Sequence, residues 1–528
     1  MAPNYDSTVE TEAYVSEIGS RTANTISYVL LGKFASLIFA GIAFIVVARV
    51  LGPSTYGIYT LALAVSGFFG SVGNLGVSTA LNKFIPEYIL RKDKKSLEAI
   101  LANGYFITIT FGVVLAVITV AFGPAIANYV FHNPSYTYFI DIAALSIISS
   151  MLFGASYSVL LGFNNGSRVA AINIVQAIIQ SGVGITLVLL GLGAAAPIFG
   201  IVIGQMSGFF YSLYLIYGKN RIRMLVSPSV KEIRRIFKFS LPIAGSNLLQ
   251  SISSNLSFIV LGAFAATIII GNVGIATKFN SLIDVVSGSI SVSLLALFST
   301  TIAGSKMKDK MGKLYSYTLY YTFILLSPML LFIAILAKPF SYVAFSSIYQ
   351  SAPLFISVMC IGTLIGIAGT YASTLLTSAN MVKYILKYNA IIAVVQLAAL
   401  PFIIPIFKGI GLIVLVYVIT PILTDALFIW KSSRLYSLKF DFNKLYRISA
   451  ANAVPMLLLV PLVVLWGGNY IPLLITGFVE VVIVYPITLA RFRGIDKKDV
   501  ARIRSMSHGI PVVGYVMGAL LKYATIFF

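Results

Sequence analysis

Cysteine, histidine and charge are all scarce in this chain of 528 residues. Its one cysteine, Cys360, lies in an apolar stretch, which excludes a disulfide framework and a cysteine-ligated metal site. The two histidines, His132 and His508, flank apolar segments far apart, and no Asp-X-Asp motif occurs. Metal sites need clustered oxygen or nitrogen ligands, so neither a metal nor another cofactor is expected. Charged residues make up 10% of the chain, against about 25% in soluble domains. No charged side chain occurs at 169–218 or at 239–277. A soluble multidomain protein is therefore excluded. The net charge of +21 is scattered among short loops. A nucleic-acid binder gathers its cations on one face, so nucleic acid is not an expected partner.

Long apolar runs fill the space that charge leaves. About 20 residues cross a bilayer as helix, and 169–218 holds two crossings broken at "GLGAAAP" (191–197). About fourteen apolar segments follow one another: 24–49, 58–83, 100–122, 138–163, 169–190, 194–217, 239–262, 272–296, 313–336, 353–377, 385–407, 410–430, 449–466 and 470–490. Lysine and arginine collect in every second loop and at both ends, as in "RKDKK" (91–95), "KNRIR" (219–223), "KEIRRIFK" (231–238), "KMKDK" (306–310) and "RFRGIDKKDVARIR" (491–504). The other loops hold Lys338 and Lys408, with Arg49 at a helix end. Cytoplasmic loops carry the Lys/Arg excess, so both termini are expected in the cytoplasm of a cell-membrane protein. The first run follows an acidic leader (Asp6, Glu10, Glu12, Glu17) rather than a basic one, so it reads as a retained helix. The stretch after 510 is short, contains Lys522, and suits an interfacial helix.

The chain echoes itself. "YGIYT" (56–60) recurs as "VGIAT" (273–277), 217 positions later, and Asn173 matches Asn389 at an offset of 216. Parallel repeats of this kind are related by an axis along the membrane normal, with the substrate near their interface. The expected fold is all-α and polytopic: two six-helix lobes with a parallel pseudo-twofold repeat, plus two extra C-terminal helices. The expected boundaries are 1–218 for the first lobe, 219–430 for the basic linker and second lobe, and 431–528 for the last two helices and basic tail.

One stretch is more specific. "ARVLGPSTYGIYTLALAVSGFFGSVGNLGVSTALNKFIPEY" (48–88) resembles the opening of Wzx-type polysaccharide flippases, members of the multidrug/oligosaccharidyl-lipid/polysaccharide exporter superfamily. Ala48, Arg49, Leu51, Gly52, Pro53, Tyr56, Gly57, Tyr59, Leu75, Gly76, Ser78, Ala80, Phe84, Glu87 and Tyr88 carry the match. Many members have an acidic residue before the Leu-Gly pair, where this chain has Asn74. On physics alone, Gly52-Pro53 is an exit turn, Gly57 allows close helix approach, and Arg49 sits where it can snorkel. The resemblance implies transport of a polyprenyl phosphate or diphosphate glycan from the cytoplasmic to the outer leaflet. The partners would be that lipid-linked glycan and membrane lipids, and the functional unit a monomer. Such a substrate needs a hydrophilic cleft between the lobes, cationic where the phosphate rests.

Six charged residues fall inside apolar segments: Lys33, Asp141, Lys278, Asp284, Asp425 and Glu480. A charge at mid-bilayer costs about 3 kcal/mol on insertion scales, so a cavity or partner should offset it. In related flippases the first and eighth helices contribute basic residues to the cavity, which makes Lys33 and Lys278 candidate phosphate ligands. Each also lies about six residues from a polar edge, where snorkelling is the alternative. Asp284 is six residues from Lys278, about 240° round the helix at 100° per residue, so the two do not pair. Asp284, with Asn280 one turn away, is a candidate for coupling or gating, or for an interhelical hydrogen bond. Asp141 reads as structural, Asp425 as interfacial, and Glu480 has no assigned role. Asn74, Gln176, Gln180, Asn247 and Gln250 are candidate cavity-lining groups, although such residues more often bond between helices.

Three other functions compete. A cation-coupled drug exporter of the same superfamily usually has twelve helices. A membrane glycosyltransferase or polymerase would need a metal motif and a large soluble loop. A channel would need a filter-like repeat or charged ring. The reading is a transporter, not an enzyme. The charge alternation predicts that an impermeant thiol reagent outside intact cells labels cysteine at Lys338 but not at Lys92. Labelling of both from outside, or of Lys92 alone, refutes the orientation.

Overall fold

The computed structural model describes residues 7–73, 76–218, 230–302, 308–436, 438, 440–466 and 468–495. Among them every regular element is helical. The α-helices are α1 Ser7–Gly73, α2 Val77–Leu90, α3 Lys94–Ala125, α4 Tyr136–Gly162, α5 Gly166–Leu189, α6 Ala195–Leu213, α7 Val230–Ser251, α8 Ser257–Phe264 and α9 Thr267–Ile302. They continue as α10 Lys308–Ile335, α11 Ala337–Phe345, α12 Ala352–Ser378, α13 Val382–Val414, α14 Thr420–Tyr436, α15 Phe442–Leu465, α16 Tyr470–Val479 and α17 Tyr485–Arg491. Five π-turns interrupt them, among them Leu415–Ile419 and Glu480–Val484.

Helix starts follow local chemistry. Asp93, Asn165 and Asp441 each accept a backbone N–H three residues on, from Ser96 (3.0 Å), Arg168 (3.3 Å) and Lys444 (3.0 Å), which satisfies a donor the first turn leaves free. The hydrogen bonds from Ser96 hold the Asp93 carboxyl below the usual carboxylate range.

Ten helical runs among the described residues are long and apolar enough to cross a membrane, against the fourteen segments read from the sequence. Part of the difference is continuity. Leu31–Gly73 (43 residues) and Val382–Tyr436 (55 residues) are each at least twice the length a crossing needs. Each is broken inside by a non-helical residue, Gly52 (φ 69°, ψ 170°) and Lys408 (φ 49°, ψ −129°) respectively.

The chain forms two compact units. The first comprises residues 1–47, 65–129 and 133–248. Leu81, Ile85, Ile100, Leu101, Val159 and Leu160 are fully buried in its core. Helix α6 packs on its neighbours through "GIVIGQMSG" (200–208). A Cβ on Gly200, Gly204 or Gly208 would lie 2.8 Å from the Gln180 carbonyl, 2.5 Å from Gln180 Cβ and 2.6 Å from the Phe153 ring. Small residues at four-residue spacing are how helix backbones come close in lipid. At the basic end of this unit, α7 is tied to α2. The Tyr88 hydroxyl donates to Glu232 Oε2 (3.0 Å) and accepts from Arg235 Nη1 (2.5 Å), while Arg235 reaches Glu87 Oε1 (3.3 Å). The Arg235 guanidinium lies 4.5 Å over the Phe84 ring.

The second unit comprises residues 48–64, 130–132 and 249–528. Its first segment is the start of the flippase-like motif. Arg49 is exposed and engages backbone carbonyls. Its Nε donates to the Ala344 carbonyl at 2.6 Å and its Nη2 to the Val343 carbonyl. Those carbonyls end α11, where the helix dipole favours a cation. The Tyr349 hydroxyl donates to the Ala48 carbonyl at 2.7 Å. The two echoed stretches of the repeat also meet. A Cβ on Gly57 would lie 2.1 Å from the Thr267 carbonyl, one on Gly271 1.9 Å from the Pro53 carbonyl, and one on Gly274 2.5 Å from Thr60 Oγ1. Further along, α15 and α17 pack on α10, where Tyr485 donates to the Ile324 carbonyl and Asn452 to Ser327 Oγ, both at 2.9 Å.

Tyr88→Phe removes the donor that a buried Glu232 relies on, so it should cost about 1–3 kcal/mol of stability, read as a lower melting temperature in detergent. Burial first, and then the Glu232 hydrogen bond, push the Tyr88 hydroxyl from 10.0 up to about 12. A raised phenol favours the protonated form in the folded state, so the contribution of Tyr88 is full below about pH 10 and lost as pH rises through about 12. A Tyr88→Phe variant as stable as wild type at pH 8 removes this account.

Candidate functional site

The second unit holds a cavity of about 370 Å³ built around one helix, α12. Its sequence "IGTLIGIAGT" (361–370) puts Gly362, Gly366 and Gly369 on one strip at the i, i+4, i+7 spacing of a helix face. The π-turn Leu415–Ile419 and the start of α14 lie along that strip. A Cβ on Gly362 would sit 2.1 Å from the Tyr417 carbonyl. One on Gly369 would sit 1.7 Å from Asp425 Oδ1, and one on Gly366 3.6 Å from Asp425 Oδ2. The glycines therefore make the room that the Asp425 carboxyl occupies. Asp425 Oδ2 is buried and has no hydrogen-bond partner among the described residues.

Asn280, Thr363, Thr370, Tyr371 and Tyr417 line the cavity with Asp425. Thr363 Oγ1 donates to Asn280 Oδ1 at 3.0 Å, which fixes the amide of α9 against α12. Tyr371 is buried in the same wall. The volume holds roughly ten waters at about 30 Å³ each. Taking an ionised carboxylate out of bulk water costs several kcal/mol unless it is paired or hydrated. Asp425 therefore needs a proton, a cation or water from this cavity. Carboxyl, amide and hydroxyl oxygens suit a proton or a small hard cation. No cluster of three or more His, Cys, Asp or Glu that could hold a metal ion occurs among the described residues.

The residues singled out in the sequence fall in different places. Lys33 is exposed on α1, in the first unit, and Lys278 is exposed on α9, in the second. Residues 270–276 just before Lys278 are all buried. Asn280, two positions on and about 200° round the helix, is buried in the cavity wall. Gln176 donates to Gln180 on the same helix, and the two pack beside Gly204 and Gly208 of α6. Asn74 lies outside the described residues, as do the side chains of Asp284, Asn247 and Gln250.

Asp425 itself is a correction. Its nearness to Trp430 and Lys431 suggests an interfacial carboxylate, yet it lies in the cavity because Gly366 and Gly369 leave space for it. A glycine strip on one apolar helix, with a lone acid on another, is the signal that finds it. Asp141 and Glu480 also keep one buried carboxyl oxygen without a partner among the described residues. Glu480 opens the π-turn Glu480–Val484.

Residues 46–354 match the family described as polysaccharide biosynthesis protein, which is more than half of the chain. The chain belongs to the polysaccharide biosynthesis protein family. A relative, the succinoglycan biosynthesis transport protein ExoT of Rhizobium meliloti, is 22% identical over 307 residues, 57% of this chain and 58% of that protein. The chain thus spans somewhat over half the length of that relative. Among solved structures, the lipid II flippase MurJ in an inward closed conformation has a TM-score of 0.71 at 16% identity, covering 88% of this chain and 98% of MurJ. An inward-facing multidrug resistance MATE transporter has a TM-score of 0.64 at 16% identity, covering 76% of this chain and 95% of the other. This member of the polysaccharide biosynthesis family therefore shares its fold with a lipid flippase and with a drug exporter.

A side chain at Gly369 cannot coexist with the Asp425 carboxyl. Gly369→Val should therefore destabilise the protein by about 1–3 kcal/mol, and Gly369→Val combined with Asp425→Ala should recover part of that loss. Melting temperatures of the three proteins check it. Equal melting temperatures for Gly369→Val and wild type would place the carboxyl elsewhere.

Proposed function

We propose that this protein flips a lipid-linked oligosaccharide, a polyprenyl phosphate or diphosphate glycan, from the cytoplasmic to the outer leaflet of the cell membrane. It works as a monomer with both termini in the cytoplasm and fourteen crossings. The lobes 1–218 and 219–430 alternate access by rocking, with 431–528 as an added helix pair and tail. Membership of the polysaccharide biosynthesis family and the transport role in the name of its Rhizobium relative support this reading.

The observation that carries it is Lys278, an exposed lysine two positions after a run of seven buried residues, 270–276, in an apolar helix. A cation kept accessible at such a site suits an anionic substrate group. Lysine binds phosphate as a compact charge without demanding a two-pronged geometry. Lys33 supplies the second cation. The lipid tail stays in the bilayer while phosphate and sugars pass along polar groups, for which Asn74, Gln176, Gln180, Asn247 and Gln250 are candidates. Coupling is assigned to the α9 pair Asn280 and Asp284, extended to Asp425 through the cavity that Asn280 shares. A proton or cation taken up there neutralises the carboxyl and changes how α9 and α12 pack.

The MATE-like fold supports a second reading, cation-coupled drug export. One assay separates the two. Purified protein in vesicles is given a fluorescent lipid-linked glycan or a cationic dye. Removing one charge-assisted contact costs about 1.5–3 kcal/mol, so Lys33→Ala and Lys278→Ala should each slow glycan flipping by about 10–100-fold. Asp425→Asn should remove its dependence on an imposed proton or sodium gradient. Equal rates for wild type and both lysine variants eliminate the cationic cleft. Dye transport without glycan flipping selects the exporter.

A further inference from the structure

A second cavity, of about 290 Å³, opens in the hairpin that α13 makes at Lys408, closed by the π-turn Leu415–Ile419. Ile403, Phe407, Ile410, Val414, Leu415 and Ile419 line it, and no polar side chain does. On the same helix Phe402, Ile406 and Phe407 are exposed, as lipid-facing residues are. Lys408 lies in the chain between the lining residues Phe407 and Ile410 and is exposed. Among the described residues no carboxylate or hydrogen-bond acceptor engages it.

The backbone of Lys408 is out of keeping with its side chain. Its angles, φ 49° and ψ −129°, are those of the first central residue of a type II′ turn, a place for glycine. A Cβ there is strained, and strain of this kind gathers at ligand clamps and switches. A glycine lies one position away. Gly409, however, is held by packing, since a Cβ on it would lie 2.7 Å from Ile269 and 3.0 Å from the Phe355 ring. The turn thus keeps an exposed lysine in a glycine conformation, next in the chain to Phe407 of an apolar slot.

We propose that this hairpin is a binding site for one anionic phospholipid of the outer leaflet. An acyl chain fills the slot, and the phosphate sits on the Lys408 ammonium. The slot has room for roughly ten groups the size of a water or a methylene. In hydrocarbon the hydrophobic effect does not drive a chain into such a slot, because lipid and protein side chains are equally apolar. Selection comes from shape and from the single cation. One ammonium and an apolar lining suit one phosphate, whereas a diphosphate or sugar would find no hydrogen-bond donor in the lining. Placing the site in the outer leaflet rests on the orientation proposed above.

The test uses purified full-length protein, incubated with vesicles of phosphatidylcholine and phosphatidylglycerol, then extracted and weighed intact by native mass spectrometry. Wild type should retain one phosphatidylglycerol. Lys408→Gly should lose it at least tenfold while its melting temperature rises, because glycine relieves the turn. Val414→Trp, which fills the slot, should lose the lipid and keep Lys408. Equal retention by wild type and Lys408→Gly, or equal retention of phosphatidylcholine, overturns the site. Displacement of the lipid by a lipid-linked glycan also overturns it, in favour of an exit point for transported substrate. Lys408→Cys, labelled with an impermeant reagent beside the buried Cys360, tests the orientation separately. Labelling from the cytoplasmic side alone refutes the leaflet while leaving lipid retention to judge the site.

Discussion

Two helices in hydrocarbon gain nothing by hiding apolar side chains from each other, so their contact depends on how closely the backbones approach. That constraint recurs in both compact units among the described residues. Gly200, Gly204 and Gly208 bring α6 against its neighbours in the first unit. Gly57 and Gly271 bring the motif helix against α9 in the second. At these positions a single methyl group would overlap a carbonyl or a neighbouring side chain. The glycines of the family-like motif thus have a physical role before any functional one. They fix where the echoed halves of the repeat touch.

The same device makes the polar interior. Gly362 admits the Tyr417 carbonyl, and Gly369 admits the Asp425 carboxyl. Close approach therefore does two things on one helix face: it holds α12 against α14 and it brings a carboxyl into a space of about 370 Å³. The π-turn Leu415–Ile419 is shared by both cavities of the second unit. Tyr417 lines the polar one, and Leu415 and Ile419 line the apolar one. A π-turn adds a residue to a helix and often marks functional sites. Here it places alternate side chains of one short segment in two different environments.

Much of the fold was legible in the residues. Uncharged runs marked helices, and "GPSTYG" (52–57) marked a break at Gly52. The motif at 48–88 pointed to the family that the match over 46–354 establishes. The candidate site was legible only in part. Asn280 stands in the cavity wall, but Asp425 was read as interfacial from its distance to Trp430. Arg49, placed where it can snorkel, also ends α11 through two carbonyls nearly 300 positions away, which sequence spacing does not reveal. Both cases have one origin. A charged residue near a segment's end can reach headgroups or a distant partner, and sequence distance does not discriminate between them.

The sequence by itself determined which stretches are helical and hydrocarbon-soluble, where the basic loops lie, and which two segments echo each other. These follow from composition and from the 1.5 Å rise per residue. Only the tertiary structure decided which face of each helix turns inward. A soluble helix reveals its buried face by an apolar stripe. A helix in lipid is apolar all round, because lipid and protein core ask for the same side chains. What separates the faces is the neighbour that a glycine lets in, and the neighbour of Gly369 lies 56 positions on, at Asp425.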